Sequence, residues 1–202
     1  MQEKDFFNQL KSGYFDLISD KYPFPSPYRG DREIRAIVLG ADPTKIINQK
    51  DPVRFEKVFG LENENSPYWR GIRSNLEQIS KDFEEHIYVQ NVCRNYFTKE
   101  TSNNKAWTEI ARNHWIPFLA KELDELFDVE VPILMTTEFI LHAALKDENK
   151  KYNAATIYRD NIAIFKEENL FGRELYALYR HQEYALSKKI TYCDFLRSKL
   201  VN

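Results

Sequence analysis

Hydrophobic residues along the chain follow two alternating spacings. Short continuous apolar runs are typical of buried strands, and they lie at about residues 34–39, 86–92, 131–137 and 174–179. Apolar residues at intervals of three and four predict helices over about residues 5–18, 66–80, 107–127, 138–145 and 186–200. Pro117 falls inside the third of these helices and should kink or divide it. Residues 154–158 and 161–165 predict a peripheral hairpin.

The alternation of strands with helices predicts an α/β protein. We expect a three-layer αβα sandwich around a central, mainly parallel sheet of about four strands. The 202 residues are enough for one domain. Within it, residues 1–30 should form an N-terminal helix and a proline-rich lead-in to the first strand of the sheet.

The composition, with 43% apolar and 30% charged residues, excludes a disordered or membrane-spanning class. No run approaches the roughly 18 consecutive apolar residues that cross a bilayer, and the first residues lack the apolar core of a signal peptide. We therefore expect a cytoplasmic protein with no membrane partner. Two cysteines form no disulfide framework and cannot by themselves complete a zinc site. The net charge of −2 counts mildly against DNA as a partner.

Polar side chains end the predicted strands. The first strand stops at Gly40-Ala41-Asp42-Pro43, the second ends at Asn91, the third at Thr136-Thr137, and the last runs into His181. The carboxyl ends of parallel strands gather along one edge of a sheet, where open α/β folds bind ligands. There Asp42 could hold a water or stabilise a cationic centre, and Asn91 could read one edge of a planar base. His181 could donate a hydrogen bond to an oxygen that gains negative charge.

Each of these residues also has an ordinary structural interpretation. An aspartate before a proline is often a turn residue or a helix cap, and Asn91 could cap the loop that follows it. His181 could be a surface histidine. The sequence alone leaves both sets of interpretations open.

Three segments have the order and spacing of motifs in a known family. Gly40-Ala41-Asp42-Pro43 matches a strand that ends in Gly-x-Asp-Pro. Residues 87–98 are similar to an apolar strand ending in Asn and a run closing in Leu-Thr, and Trp107 follows on a predicted helix. Residues 178–187 occupy the place of a strand leading into His-Pro-Ser. Over roughly residues 34–200, the chain therefore resembles the uracil-DNA glycosylase superfamily.

The resemblance implies a pocket for a base flipped out of DNA, because the glycosidic bond is unreachable inside the stacked duplex. Asp42 would activate water or stabilise the oxocarbenium-like sugar, and His181 would stabilise the departing base anion. The implied substrate-binding residues are Gly40, Ala41, Pro43, Phe59, Asn91 and Arg180. Asn91 would read the base edge, and Phe59, or alternatively Phe55, would stack on the base. DNA would be the partner, with no metal or cofactor, and we expect a monomer.

The chain departs from the family's pattern at two points. Thr44 follows Asp-Pro where uracil-specific members carry a tyrosine that excludes thymine. Gln182-Glu183 replaces Pro-Ser after His181, and Glu183 places negative charge close to where phosphates would lie. The absence of a four-cysteine set excludes the iron–sulfur branches of the superfamily.

The leading hypothesis is a DNA glycosylase-like hydrolase that excises a damaged base, uracil or related, by N-glycosidic bond hydrolysis. The alternative is a catalytically inactive nucleic-acid or nucleotide binding module on the same fold, which Glu183 and the acidic balance favour. A looser option is an α/β hydrolase for a small metabolite, although no Gly-x-Ser-x-Gly elbow is present. Candidate phosphate contacts are Arg70, Arg73, Arg94, Lys99, Arg180, Lys188 and Lys189.

Overall fold

The computed structural model describes residues 3–47, 52–63, 66–147, 149–150 and 152–201. Its α-helices are α1 (Glu3–Gly13), α2 (Pro67–Ile79), α3 (Trp107–Ile110), α4 (Ile116–Leu126), α5 (Glu138–Ala144), α6 (Ala154–Asp160) and α7 (Ile190–Leu200). Its strands are β1 (Ile18–Ser19), β2 (Tyr28–Arg29), β3 (Ala36–Gly40), β4 (Ile87–Asn91), β5 (Tyr96–Phe97), β6 (Ile133–Met135) and β7 (Leu175–Ala177).

The main sheet has five strands in the order β2-β4-β3-β6-β7. The last four of these are parallel, and β2 pairs antiparallel with β4 at one edge. The four parallel strands are fully buried, which explains why they appear in the sequence as continuous apolar runs. The prediction of an α/β protein with a mainly parallel sheet is therefore confirmed. Strands β1 and β5 form a separate antiparallel pair.

The strand order places a change of direction beside β3. The chain leaves β3 for β4 on one side and later returns to β6 on the other side of β3. In open α/β sheets, the crevice at such a switch point, outside the carboxyl ends of the strands, is where ligands bind. The carboxyl ends of β3, β4 and β6 are therefore the part of the fold that positions the candidate site.

The helices pack in two groups around the sheet. Helix α2 packs against α7, and α7 also contacts α6, whereas α3 and residues 111–115 pack against α5. Helix α1 contributes Phe6 to the core, where its ring packs on Trp115 and stacks on Phe118. The hydrophobic core thus extends from α1 to the end of α7. The single-domain organisation stays a prediction.

Pro117 was predicted to kink or divide a long helix, and the structure shows a change of helix type before it in a continuous helical stretch. The helical stretch consists of α3, a π-helical turn over residues 111–115, and α4, which begins at Ile116. Proline has no backbone N–H and cannot donate the usual helical hydrogen bond, but it is tolerated in the first turn. The change of helix type therefore falls directly before Pro117.

Several predicted element bounds are wrong. Residues 154–160 form helix α6 instead of the first strand of a hairpin. The Asn153 side chain caps this helix, and Asn161 ends it with a left-handed φ of 53°. Helix α1 ends at Gly13, short of the predicted residue 18, and α7 begins at Ile190. Among the described residues, no helix is long and apolar enough to cross a membrane.

Candidate functional site

The Asp42 carboxylate lies just beyond the end of β3 and accepts hydrogen bonds on both oxygens. Oδ1 accepts from the backbone N–H of Thr44 at 2.8 Å, which closes a turn around Pro43. Oδ2 accepts from the hydroxyl of Thr101 at 2.5 Å. One donor comes from the β3 loop and the other from a distant segment, so the carboxylate is fixed in position from both sides.

Burial raises the pKa of the Asp42 carboxyl above its usual value, although the donors from Thr101 and Thr44 oppose this shift. The buried indole N–H of Trp107 has no hydrogen-bond partner among the residues described, but it lies near enough to the carboxylate to favour its ionised form. A carboxyl group with a raised pKa in a fixed position is suited to accepting a proton from a bound water.

We expect Asp42→Asn to stabilise the fold progressively as the pH rises. Because the folded pKa lies above the unfolded value, about 3.9, the protonated carboxyl is the form that folding favours. The stability contributed by Asp42 is therefore complete below about pH 4 and is lost as the pH rises through the folded pKa. Asparagine does not titrate, so the variant does not lose stability in this way as the pH rises. Urea unfolding of both proteins from about pH 4 to 8 measures the difference, with the exposed Asp16→Asn as control. A difference that does not change with pH would contradict the prediction.

Asn91 is the last residue of β4 and is only 1% exposed. Neither Oδ1 nor Nδ2 of its side chain has a hydrogen-bond partner among the described residues. More than about 90% of buried polar groups are paired, and each unpaired group costs about 1–3 kcal/mol. The amide presents one donor and one acceptor side by side, which is the complement of one edge of a planar base.

Gly40 brings the Phe59 ring and the Asn91 amide together. Gly40 and Asn91 lie opposite each other in the β3–β4 pairing. A Cβ atom on residue 40 would lie 2.2 Å from Phe59 Cε1 and 2.5 Å from Asn91 Oδ1, so only glycine fits here. The Phe55 ring lies beside Gly60 instead, since a Cβ atom on residue 60 would lie 3.1 Å from Phe55 Cε1. The ring beside the amide is therefore that of Phe59, although its stacking on a base stays a prediction.

Phe59 has an unusual backbone conformation for a residue that is not glycine. Its φ is 61°, and Gly60 follows with a φ of 69°. The Phe59 carbonyl accepts a hydrogen bond from the Ser66 hydroxyl at 3.1 Å, which ties this turn to the start of α2. Left-handed conformations outside glycine cost of order 1–3 kcal/mol and cluster at functional sites.

Tyr68 connects the surface of the molecule to this edge of the sheet. Its ring lies 5.0 Å from that of Phe59, and its hydroxyl is 3.1 Å from Thr136 Oγ1. Burial raises the pKa of Tyr68, the Arg180 cation opposes this shift, and the Asp42 charge adds to it. The charges of Asp42 and Arg180 therefore both act on Tyr68.

His181 is exposed at the end of the segment that follows β7. Its Nδ1 accepts a hydrogen bond from the Glu183 backbone N–H at 3.3 Å, so the side chain caps a short 3-10 turn. Its ring lies 6.2 Å from that of Tyr184. No contact of His181 with Asp42 or Asn91 is recorded among the described residues, and its catalytic role stays a prediction.

The basic residues predicted to contact phosphate differ in their surroundings. Arg94 is almost buried and forms ion pairs with Glu3 and Glu122, and Arg73 pairs with Glu84 at 2.7 Å. Those partners already neutralise both charges. Arg180 instead extends its guanidinium over the Tyr68 ring at 4.5 Å from the centroid.

A cleft of about 680 Å³ lies elsewhere, along the helices that pack on α5. Its lining residues are Lys105, Thr108, Glu109, Arg112, Asn113, His142 and Lys150. It includes none of the predicted site residues, so the chemistry gathered around Asp42 and Asn91 is separate from this open surface.

Comparison with known proteins gave no matching family and no similar curated protein. Within the part of the chain that the structure describes, no group of three or more His, Cys, Asp or Glu residues is placed to hold a metal ion. The interpretation of the site therefore depends on its own geometry.

Proposed function

We propose that this chain is a DNA glycosylase-like hydrolase of the uracil-DNA glycosylase type, which excises uracil or a related damaged base. The observation that carries the proposal is the buried Asn91 amide, which lacks partners and lies beside Gly40 and Phe59. Asp42 supports it, because its carboxylate is fixed on the neighbouring strand end. These groups share the switch-point edge of the sheet, where ligands bind in open α/β folds.

The proposed pocket binds the base between an aromatic ring and the β3–β4 edge. The Asn91 amide pairs with one edge of the base and thereby satisfies its buried donor and acceptor. Phe59 stacks on the face of the base, an interaction worth about 1–3 kcal/mol. Because both amide atoms are closed to solvent, entry of a base requires the Phe59 turn to move.

The proposed reaction is hydrolysis of the bond between the base nitrogen and C1′ of the sugar. The base leaves with the bonding electron pair, and a water oxygen bonds to C1′ and releases a proton. Asp42 holds that water or stabilises the positive charge on the sugar, and His181 donates a hydrogen bond to the base oxygen that gains charge. The departing base anion is then protonated by solvent.

The finer architecture belongs to the same proposal. Crossover connections between parallel strands are right-handed in nearly all proteins. The connections from β3 to β4 and from β4 to β6 run in opposite directions along the sheet. Their helices, α2 and α4, should therefore cover opposite faces, which would give a three-layer αβα sandwich. A monomer in the cytoplasm completes this proposal.

The alternative is an inactive nucleic-acid or nucleotide binding module on the same fold. The contacts of His181 favour it, since its Nδ1 is used to cap the turn at Glu183 and its ring is exposed. This alternative predicts that the base binds through Asn91 and Phe59 and is never released.

We expect Asn91→Leu to abolish base recognition without loss of stability. Leucine has a similar shape and removes an unpaired amide, so the free energy of unfolding should rise by about 1 kcal/mol. Release of free base from single- and double-stranded uracil-containing DNA should fall at least about 100-fold, and Asp42→Asn should have a similar effect. Asn103→Ala, on the exposed surface, serves as the control.

The outcomes separate the two functions. Binding of uracil-containing DNA that depends on Asn91, without base release by the wild type, would establish the binding module. If Asn91→Leu retains wild-type binding and base release, the amide has no role in recognition and the proposal fails. If the wild type neither binds nor cleaves the DNA at low salt, both functions are rejected.

A further inference from the structure

Arg180 lies on a platform built from helix α2. Its guanidinium covers the Tyr68 ring at 4.5 Å, and a Cβ atom on Gly71 would lie 3.3 Å from Arg180 Cγ. Tyr68 and Gly71 are three residues apart and therefore share one face of the helix. The bare face at Gly71 lets the side chain lie close to α2, and the ring positions its charged end.

Hydrogen bonds connect this platform to the edge of the sheet. The backbone N–H of Arg180 donates to the Thr136 carbonyl at 3.4 Å. The Thr136 hydroxyl donates to the Leu39 carbonyl at 2.9 Å, so in its 3.1 Å contact with Tyr68 it must be the acceptor. Arg180 and Tyr68 are thus both anchored on Thr136, one strand away from Gly40.

Arg180 has no acidic partner in the part of the chain that the structure describes. No carboxylate among the residues that the structure describes forms an ion pair or a hydrogen bond with it, and the side chain is exposed. Arginine is suited to phosphate, because its planar fork of donors can bind two oxygens at once. The cation–π contact with Tyr68 holds the guanidinium without using its N–H donors, which therefore stay available to an anion.

We propose that Arg180, positioned by Tyr68 and Gly71, binds the phosphate of a nucleotide whose base occupies the proposed pocket between Asn91 and Phe59, here called the slot. The order of the groups supports this: the Arg180 guanidinium lies on the Tyr68 ring, which in turn lies 5.0 Å from the Phe59 ring beside the amide. The phosphate would therefore lie at the mouth of the slot and the base inside it. This inference rests on the proposed function and names its ligand as a phosphorylated nucleotide unit, in preference to a free base.

The test is the salt dependence of binding to a short single-stranded oligonucleotide of normal bases, which does not require base excision. Arg180→Gln should weaken binding about tenfold at low salt and lower the slope of log affinity against log salt concentration by about one phosphate contact. Arg35→Gln is the matched control, because it removes an exposed arginine that directly precedes β3, at the end of the strand opposite to Gly40. It should change the slope by less than half as much.

A second arm identifies the source of the phosphate. Deoxyuridine and deoxyuridine monophosphate are compared as ligands. Arg180→Gln should weaken the binding of the monophosphate and leave the binding of deoxyuridine unchanged. If only the oligonucleotide responds to the substitution, the phosphate recognised is that of a polymer. Failure of the wild type to bind the oligonucleotide, or equal effects of Arg180→Gln and Arg35→Gln, would overturn the inference. Loss of base release alone would leave it intact and count only against the proposed reaction.

Discussion

Replacement of Arg173 by methionine should lower the free energy of unfolding by about 2–4 kcal/mol, because buried carbonyl groups lose their donors. The side chain of Arg173 is completely buried. Its two terminal nitrogens donate to the Asp124 carboxylate and to the backbone carbonyls of Leu123, Phe127, Asp128 and Val131. The Leu123 and Asp128 carbonyls also accept backbone hydrogen bonds, from Phe127 and Val131. Methionine would fill much of the volume but would remove the Arg173 donors from the Phe127 and Val131 carbonyls.

Guanidinium chloride unfolding of matched variants measures this effect. Arg159→Met is the control, since the Arg159 side chain is 70% exposed in its ion pair with Asp160 and should contribute at most about 1 kcal/mol. Arg173→Lys keeps the charge but loses the planar guanidinium with its several donors, so its loss of stability should lie between those of Arg173→Met and Arg159→Met. If Arg173→Met and Arg159→Met have equal effects, the Arg173 hydrogen bonds do not stabilise the fold.

The sheet was predictable because its strands are buried on both faces. Continuous apolar runs identified β3, β4, β6 and β7 within a few residues, and polar residues marked their ends. The sequence carried no comparable signal for β2, whose two residues follow a proline-rich segment. That strand depends on pairing with β4 at the edge of the sheet, which is a tertiary contact.

The wrong hairpin at residues 154–165 shows how local composition can mislead. Thr156, Ile157 and Tyr158 are residue types that favour strands. The asparagine side chain at 153 and the left-handed conformation of Asn161 supply a helix start and a helix stop, and these decided the outcome. Both asparagines were visible in the sequence, so attention to capping would have corrected the prediction.

The candidate site was only partly predictable. Asp42 and Asn91 were identified from strand ends, and the observed register then placed Asn91 beside Gly40. Tyr68 and Thr101 were missed, because their proximity to Asp42 depends on how α2 and a short 3-10 turn pack. Ser66 precedes α2, but its hydroxyl donates to the Phe59 carbonyl instead of capping the helix. The one available signal for Tyr68 was an aromatic residue in the first turn of a helix that follows a long loop.

We expect Gly40→Ala to destabilise the fold by about 1–3 kcal/mol and to abolish base binding. The new methyl group would overlap the Phe59 ring and approach the Asn91 oxygen, at 2.2 and 2.5 Å. Admitting the methyl group requires the Phe59 ring to shift, and this costs stability because the ring packs 5.0 Å from that of Tyr68 and its turn is bonded to Ser66. Gly13→Ala is the matched control: beyond the adjacent helix backbone, no atom of the described residues lies within 4 Å of the added methyl, so the stability should not fall.

A double variant separates the steric clash between the added methyl group and the Phe59 ring from the loss of the proposed base-binding slot. Because the strain in Gly40→Ala comes mainly from the Phe59 ring, adding Phe59→Ala should recover part of the lost stability, a non-additive result for residues in contact. Base binding should not recover, since the methyl group still lies against the Asn91 amide and the stacking ring is gone. Chemical unfolding and equilibrium binding of uracil-containing oligonucleotide measure the two effects separately. Additive losses of stability in the double variant would mean that the ring and the methyl group do not compete for the same space, and the geometry assigned to the slot would then be wrong.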